Sequence, residues 1–410
     1  MTAALQDRID VFMAVKCAER PARRAAFTLS LPLQGFLLLS FFLPIAFLLI
    51  AAVGNPETRQ ILPHTLGALE GWDGTQIPSD AVFEAFEEDL KAAHTNRTAA
   101  LLGKRLNYEV SGSRSAVVAA SRLAASAPSG SFKDALLAAN PLWANAEIWS
   151  VIKRNGTAVT PYYLLMAVDL IRSADGSLGW ADQDQGIFLA VLGRTLLIAS
   201  MVTVGTLLLG YPVAYVLTLA PRGVGSVMLL MVLLPLWTSL LVRTTAWVAL
   251  LQTDGVINDV LMFLGLIDEK VQLIYTRVGT VTAMIHIQLP FTILPIYSVM
   301  RAINPSHVRA ARSLGAGPLS AFWRVYAPQT LPGVIAGCLM TFILSLGYYI
   351  TPALVGGAND QMVSNLISIY INRELNWGMA AALGVVLLTV TVAIYVLFLR
   401  LVGADKIRLG

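Results

Sequence analysis

Few side chains in the apolar stretches of this sequence can do chemistry, and the most distinctive is an arginine. Arg243 lies in one long apolar stretch, and His286 and Gln288 lie in another. A guanidinium in such a place suits a carboxylate or phosphate on a solute, because it can donate to two oxygens of that group. Aromatic residues that offer ring faces to a cation accompany it: Trp237, Trp247, Tyr348 and Tyr349. This pattern predicts a solute pathway.

Each of these candidates also has a purely structural interpretation. Arg243 can extend to the membrane surface or donate to the carbonyls at a helix end, and His286 can form an interhelical hydrogen bond. The aromatic residues are of the types enriched at membrane interfaces. The apolar stretches after residue 186 contain no Asp or Glu. A cationic solute would therefore meet only aromatic faces along these stretches.

The sequence lacks a phosphate-binding loop of the G-x-x-x-x-G-K-[ST] type. Its nearest Gly-Lys pair, Gly103-Lys104, is followed by Arg105. If ATP drives a process in which this chain takes part, another polypeptide must hydrolyse it. We therefore expect no enzyme activity, no metal site and no cofactor bound by this chain.

The elements that must position the candidate residues are membrane-spanning helices. The 410-residue chain is 56% hydrophobic and only 13% charged. Six apolar runs are long enough to cross a hydrocarbon layer of about 30 Å: 31–53, 186–210, 224–251, 278–299, 333–357 and 378–402. The segment 1–30, the turn at Arg222, the loop 301–333 and the tail 403–410 are basic, which predicts that they, and both chain ends, are cytoplasmic.

The stretch 54–185 has the composition of a soluble protein, and we predict a helical extracytoplasmic domain inserted between the first two spans. Helix patterns begin near Asp80, Arg97, Arg114 and Ser131, and two further starts follow at Asn140-Pro141 and Thr160-Pro161. Two roles are open for this domain. It either only stabilises the membrane part, or it docks a receptor or guides a solute.

The segment Asn304–Gly333, here called the polar hairpin, is too polar to cross a membrane. Asn304 and Pro305 predict the start of a helix that runs to about Leu314, with Gly315 as its left-handed exit. Gly317 and Pro318 start a second helix. Its face carries Leu319, Phe322, Trp323 and Tyr326, and Pro328 and Pro332 are expected to end it. An amphipathic hairpin lying on the membrane surface is the alternative interpretation.

The run Arg309-Ala310-Ala311, followed by Gly315 and Pro328, resembles the cytoplasmic EAA loop of permease subunits of ABC importers, with Arg309 at the position of the family's Glu. Other stretches are similar to the spermidine/putrescine-type branch of that family: GYPVAYVL from Gly210, LLPLWTSLLVRTTAW from Leu233, LPFTILPIYSVM from Leu289 and YYITPALVGG from Tyr348. The resemblance covers about 186–402 and the first span. It implies an all-α membrane protein with the six-helix type I importer permease fold.

The resemblance also implies partners. These are a second permease subunit, homologous or identical, two ATPase subunits that bind ATP and Mg, and a periplasmic solute-binding protein, in a bacterial inner membrane and without nucleic acid. In that family the loop docks into the ATPase. The residues that match the docking loop are Arg309, Ala310, Ala311, Leu314, Gly315, Gly317, Pro318, Phe322 and Pro328.

We therefore predict the permease subunit of an ATP-driven importer that works by alternating access. Its solute is a small polar molecule, of polyamine type by resemblance or an amino-acid-like or opine-like anion by the charge inventory. An ion-coupled secondary transporter is the alternative from another class, although it would need inverted repeats and buried acidic residues. A membrane-anchored sensor or adaptor, with the helical domain as its active part, is a third.

Overall fold

The structure is a computed structural model that describes residues 2–126, 130–172, 177–182 and 186–402. The predicted tail 403–410 lies outside these residues. The first helix, α1 (Thr2–Val53), makes up the N-terminal unit, which ends at Ala51, and the last two residues of this helix belong to the second unit. Its portion Phe27–Val53 is long and apolar enough to cross a membrane, in agreement with the predicted run 31–53. The helix also continues upstream of that run, through most of the polar segment 1–30.

The second unit begins with a mainly helical part that ends at residue 182. Its helices are α2 (Pro56–Ile61), α3 (Pro63–Ala68), α4 (Asp80–Thr95), α5 (Ala99–Asn107), α6 (Ser113–Ala125), α7 (Phe132–Ala139), α8 (Ala146–Arg154) and α9 (Tyr162–Met166). A 3₁₀ turn covers Pro141–Ala144, and Asn140 Oδ1 accepts from the Leu142 amide there. Strands β1 (Leu170–Arg172) and β2 (Leu178–Trp180) pair antiparallel, with Leu170 opposite Trp180. The helix starts predicted near Asp80, Arg97, Arg114 and Ser131 are present within two residues. The start predicted at Asn140-Pro141 forms only the 3₁₀ turn, and α8 begins later, at Ala146. The helix that starts after Pro161 ends at Met166, and β1 follows it.

Aromatic packing forms the core of this helical part. The ring of Trp149 lies 4.9 Å from that of Phe83 and 5.1 Å from that of Phe86, with centroid distances typical of edge-to-face contacts. Trp143 packs on Phe86 at 5.1 Å, and its carbonyl accepts from Trp149 Nε1 at 3.0 Å. All four side chains are buried. This core needs no disulfide to hold it together.

A buried arginine joins the first and last helices of the helical part. Arg105 Nε donates to Asn55 Oδ1 at 2.7 Å, and its Nη2 donates to Asn155 Oδ1 at 2.6 Å. Glu109 lies four residues after Arg105, and its Oε1 atom is 3.0 Å from the same Nη2. The centre of the Tyr162 ring lies 5.1 Å from the guanidinium carbon. Because a buried charge is costly without partners, this network holds those segments in place.

The remainder of the second unit is helical. Its helices are α10 (Phe188–Leu219), α11 (Arg222–Leu233), α12 (Leu240–Leu251), α13 (Val256–Phe263), α14 (Arg277–Ala302), α15 (Ser306–Ser313), α16 (Pro318–Ala321), α17 (Ala327–Leu346), α18 (Ile350–Val355), α19 (Val363–Asn372) and α20 (Trp377–Val402). The 3₁₀ turns Leu234–Trp237 and Ala358–Asp360 and the π-helical turn Phe322–Tyr326 lie between them.

Among the described residues, five helices are long and apolar enough to cross a membrane: Phe27–Val53, Phe188–Leu219, Arg277–Ala302, Pro318–Leu346 and Trp377–Arg400. The pair Arg222–Trp237 and Leu240–Leu251 meets the same criterion together, but it is bent by 97°. The predicted run 224–251 is therefore not one helix. Pro235 lies in the 3₁₀ turn, and Thr238 is extended, so the helical hydrogen bonds stop there.

Two other predicted runs have different bounds. The run 186–210 continues to Leu219, because α10 accommodates Pro212 in its interior. The run 333–357 is wrong at both ends, since its helix starts upstream of residue 333 and stops at Leu346. Gly347 follows as the cap, and a separate short helix begins at Ile350. The loop expected after it contains α19, which the sequence analysis did not predict.

Three helices, α10, α14 and α17, form the core of this part, and glycines allow them to approach closely. A Cβ added to Gly337 would lie 2.8 Å from the Thr292 carbonyl oxygen, and one added to Gly333 would lie 2.9 Å from the Pro295 carbonyl oxygen. Hydroxyl groups join the same helices: Thr292 Oγ1 donates to Thr206 Oγ1 at 3.0 Å. Small residues and interhelical hydrogen bonds are the usual means of packing helices in lipid.

Candidate functional site

The first helix of the polar hairpin forms as its sequence predicts. Asn304 Oδ1 accepts from the Ser306 amide at 2.9 Å, which caps α15. Gly315 has φ of +89°, the left-handed conformation expected of it. The Ala316 amide donates to the Ala311 carbonyl at 3.1 Å across this turn, which closes the C-terminal end of the helix. The predicted left-handed exit at Gly315 is therefore confirmed.

The second helix of the hairpin does not end where it was predicted to end. It starts at Pro318, as expected, and then continues through Pro328 and Pro332 to Leu346. A π-helical turn over Phe322–Tyr326 precedes Pro328. In it, the Ala327 amide donates to the Phe322 carbonyl, so hydrogen bonding changes register just before the residue that lacks a donor. The hairpin is thus continuous with a membrane helix.

The predicted apolar face of the second helix is only partly covered. The Phe322 ring stacks on Tyr326 at 5.8 Å and lies 5.4 Å from Tyr215 of α10, edge to face. Leu319 and Trp323 instead remain 71% and 65% exposed. Sequence analysis missed the part played by Tyr215. Its spacing of four residues from Tyr211 in the run GYPVAYVL, which places both rings on one helix face, was the available signal.

The exposed tip of the hairpin carries the residues matched to the docking loop. Leu314 is 89% exposed, and Arg309 and Ala310 are exposed on α15. Ala311 is half-buried, and Gly315, Gly317 and Pro318 form the turn to the second helix. Phe322 holds this tip to α10, and Pro328 is exposed in the first turn of α17. The arrangement presents apolar and basic side chains on a short, supported projection.

The second set of candidates meets around α12 and α14. Arg243 and Trp247 lie one turn apart on α12, and Trp247 Nε1 donates to His286 Nδ1 at 3.2 Å. Arg243 lies close enough to His286 and Tyr348 for its positive charge to interact with both side chains. Within the described part of the chain, the Nε and Nη1 atoms of Arg243 are buried and have no hydrogen-bond partner. The cluster therefore offers donors that no acceptor among the described residues satisfies.

The remaining pathway candidates are not part of this cluster. Gln288 is buried at the contact with α17, where its Oε1 accepts from Ser345 Oγ at 2.9 Å. Its Nε2 atom lacks a partner among the described residues. Trp237 is 76% exposed in the 3₁₀ turn, and Tyr349 is 42% exposed beside the helix break. Both exposures fit interfacial aromatic residues as well as a pathway.

Comparison with known proteins gives consistent matches to one class of membrane protein. The model of the family described as binding-protein-dependent transport system inner membrane component matches residues 185–408, after the helical part described above. The spermidine/putrescine transport system permease protein PotB of Escherichia coli (strain K12) is 33% identical over 201 residues, which cover 49% of this chain and 73% of that protein.

Two further relatives agree with that match. PotB of Haemophilus influenzae is 31% identical over 212 residues, covering 51% of this chain and 74% of that protein. The inner membrane ABC transporter permease protein YdcU of Escherichia coli is 31% identical over 226 residues, covering 52% of this chain and 72% of that protein.

Proposed function

The chain belongs to the family of inner membrane components of binding-protein-dependent transport systems, as a permease subunit of an ABC importer, and we propose that its solute is of polyamine type. The observation that carries this solute class is the 33% identity to PotB, which is a spermidine/putrescine permease by name. ATP and Mg bind to a separate ATPase, and a periplasmic binding protein delivers the solute. A second permease subunit completes the pathway.

In this proposal the chain crosses the membrane six times. The bent pair Arg222–Trp237 and Leu240–Leu251 counts as one crossing beside the five continuous helices. Both chain ends and the polar hairpin then lie in the cytoplasm, where the basic flanks favour them. The helical part 54–185 lies outside, and it either stabilises the permease or meets the binding protein there.

The polar hairpin is the element that receives the ATPase. Its exposed Leu314, Leu319 and Trp323 offer an apolar surface that solvent alone would not stabilise. The contacts of Phe322 with Tyr215 connect this surface to α10, and the continuous helix from Pro318 connects it to α17. A rigid-body movement of the ATPase pair would therefore be transmitted to the helices that line the pathway, and so alternate its access.

Ala310 gives the direct test of docking, because it is exposed on α15. We expect Ala310→Trp to remove most of the ATPase that co-purifies with the full chain, and most solute uptake. Gly223→Trp is the matched control, since Gly223 is exposed at the other predicted cytoplasmic turn and a Cβ added there would meet nothing within 4 Å. If Ala310→Trp retains both ATPase and uptake at control levels, the docking assignment is wrong.

A second candidate solute, an amino-acid-like or opine-like anion, is favoured by one specific observation. The unpartnered Nε and Nη1 atoms of Arg243 suit a carboxylate, and a guanidinium repels a polyamine. Uptake assays with Arg243→Gln separate the two solutes: anion uptake falls sharply, whereas polyamine uptake is unchanged or rises. Arg194→Gln is the control, because Arg194 Nη1 already donates to the Gln361 carbonyl at 3.4 Å. Binding of both solutes by the cognate periplasmic protein gives an independent answer.

A further inference from the structure

A cavity of about 450 Å³ lies between the polar hairpin and the ends of α10 and α14. Three arginines line it: Arg301 from the last turn of α14, and Arg309 and Arg312 from α15. Tyr215, Phe322 and Tyr326 form an aromatic wall. The cavity therefore combines positive charge with apolar surface, and it lies where the apolar helices α10 and α14 end beside the polar hairpin.

The charges of these arginines are not neutralised within the described part of the chain. No Asp or Glu lines the cavity, and Arg309 and Arg312 form no ion pair with a described residue. Arg301 Nη1 donates to Tyr297 Oη at 2.9 Å, a contact with a neutral group that fixes the direction of the guanidinium. Since guanidinium groups match the oxygens of a phosphate, the cavity suits a phosphate monoanion.

A second, open groove begins at the same arginine. Its volume is about 520 Å³, and Arg301 lines both spaces. Leu229 of α11 and Leu294 of α14 form the apolar sides of this groove, and Tyr297 lies beside Arg301. A groove between two membrane helices faces lipid chains. The two spaces together present a basic pocket beside an apolar groove, and Arg301 lines both.

We propose that this composite site binds an anionic phospholipid of the leaflet that borders the polar hairpin. The phosphate lies among Arg301, Arg309 and Arg312, and an acyl chain lies in the groove against Leu229 and Leu294. Basic pockets between membrane helices attract anionic headgroups, whereas a zwitterionic lipid brings no net charge. A free phosphate would leave the apolar groove uncovered, and an acidic protein surface would not use it. The proposal rests on the membrane position of α14 and is independent of the solute.

The test is native mass spectrometry of the full chain with its co-purified subunits, after incubation with phosphatidylglycerol or phosphatidylcholine. We expect selective retention of phosphatidylglycerol. Arg301→Gln and Arg312→Gln should each weaken retention about five-fold, the change given by about 1 kcal/mol per basic side chain at a membrane surface. Arg324→Gln is the matched control, because Arg324 is exposed on the same hairpin but does not line the cavity.

Three results would overturn the proposal. The first is equal retention of both lipids. The second is loss of phosphatidylglycerol on addition of inorganic phosphate, which would indicate a site for a soluble anion. The third is unchanged lipid retention by Arg312→Gln together with loss of the ATPase, which would assign this surface to a protein partner. Leu294→Phe adds a charge-neutral check, since filling the groove should weaken phosphatidylglycerol retention without changing the arginines.

Discussion

Replacing Gly315 by alanine should loosen the turn of the polar hairpin. Gly315 has φ of +89°, and a Cβ added there would meet nothing within 4 Å. The cost is therefore conformational, about 1–2 kcal/mol for an L-residue in the left-handed region. Because about 1.4 kcal/mol is a factor of ten, local opening of the turn should become roughly 5- to 30-fold more frequent.

Hydrogen–deuterium exchange of the purified chain measures this opening at two amides. Residue 315 donates to the Arg312 carbonyl at 3.0 Å, and Ala316 donates to the Ala311 carbonyl at 3.1 Å. Gly317→Ala is the control, since Gly317 has φ of −63° and an equally open Cβ position. Amide exchange in Gly317→Ala should change by no more than about two-fold, because two effects oppose each other. Alanine caps a helix less well than glycine does, but it also lowers the conformational entropy of the unfolded chain.

The comparison between the two glycines decides the matter. Asn tolerates the left-handed region better than Ala does, so Gly315→Asn should fall between the wild type and Gly315→Ala. If both alanine variants accelerate exchange equally, or if Gly315→Ala slows it, the left-handed turn does not fix the hairpin.

Two further predictions concern packing and pH. Gly337→Val should lower the free energy of unfolding by about 1–3 kcal/mol, because the new side chain would clash with the Thr292 backbone. Gly193→Val should not lower it, because a Cβ added there would meet nothing within 4 Å. Equal melting temperatures of the two variants would contradict this prediction. The hydrogen bond between His64 and Asp89 raises the pKa of His64 above 6.5. The stability that this contact contributes is therefore present below pH 6.5, and it is lost as the pH rises through the raised pKa. NMR titration should place the midpoint above 6.5, and His64→Gln should remove this pH dependence; a midpoint below 6.5 would refute it.

Local chemistry made some of the fold predictable from the sequence. Asn140 before a proline and Asn304 before Pro305 both form side-chain caps, because their oxygens satisfy amides that a helix start leaves free. Gly315 adopts the conformation that glycine alone adopts without strain. Each of these outcomes depends on neighbouring residues and hardly at all on distant ones.

Tertiary packing decided the features that the sequence analysis got wrong. Pro235 breaks its helix, whereas Pro212, Pro290 and Pro332 lie inside theirs. Each proline removes one backbone hydrogen bond from its helix, so the proline itself does not decide which helix continues. Contacts with neighbouring helices and local changes of hydrogen bonding, such as the π-helical turn, decide it. Phe322 and Trp323 are neighbours in that turn and point to different sides of the helix, and only the side of Phe322 faces α10.

The residues of the candidate pathway were predictable from the sequence, but which of them lie together was not. The residue types at Arg243, Trp247 and His286 indicated polar positions in apolar helices, and the structure brings these three together. Gln288 was assigned to the same pathway, yet it faces Ser345 on another helix. Its two-residue spacing from His286 turns it to a different side of α14. The functional roles of both groups remain predictions.

Site-specific photo-crosslinking from residue 314 tests most directly whether the polar hairpin receives the ATPase. Leu314 is 89% exposed at the tip, so a photoreactive amino acid there replaces no packed side chain. In cells that make the whole transporter, irradiation should give an adduct with the ATPase subunit, and the same probe at the exposed Leu101 should not. Adducts with lipid alone, or with a periplasmic protein, would contradict the account.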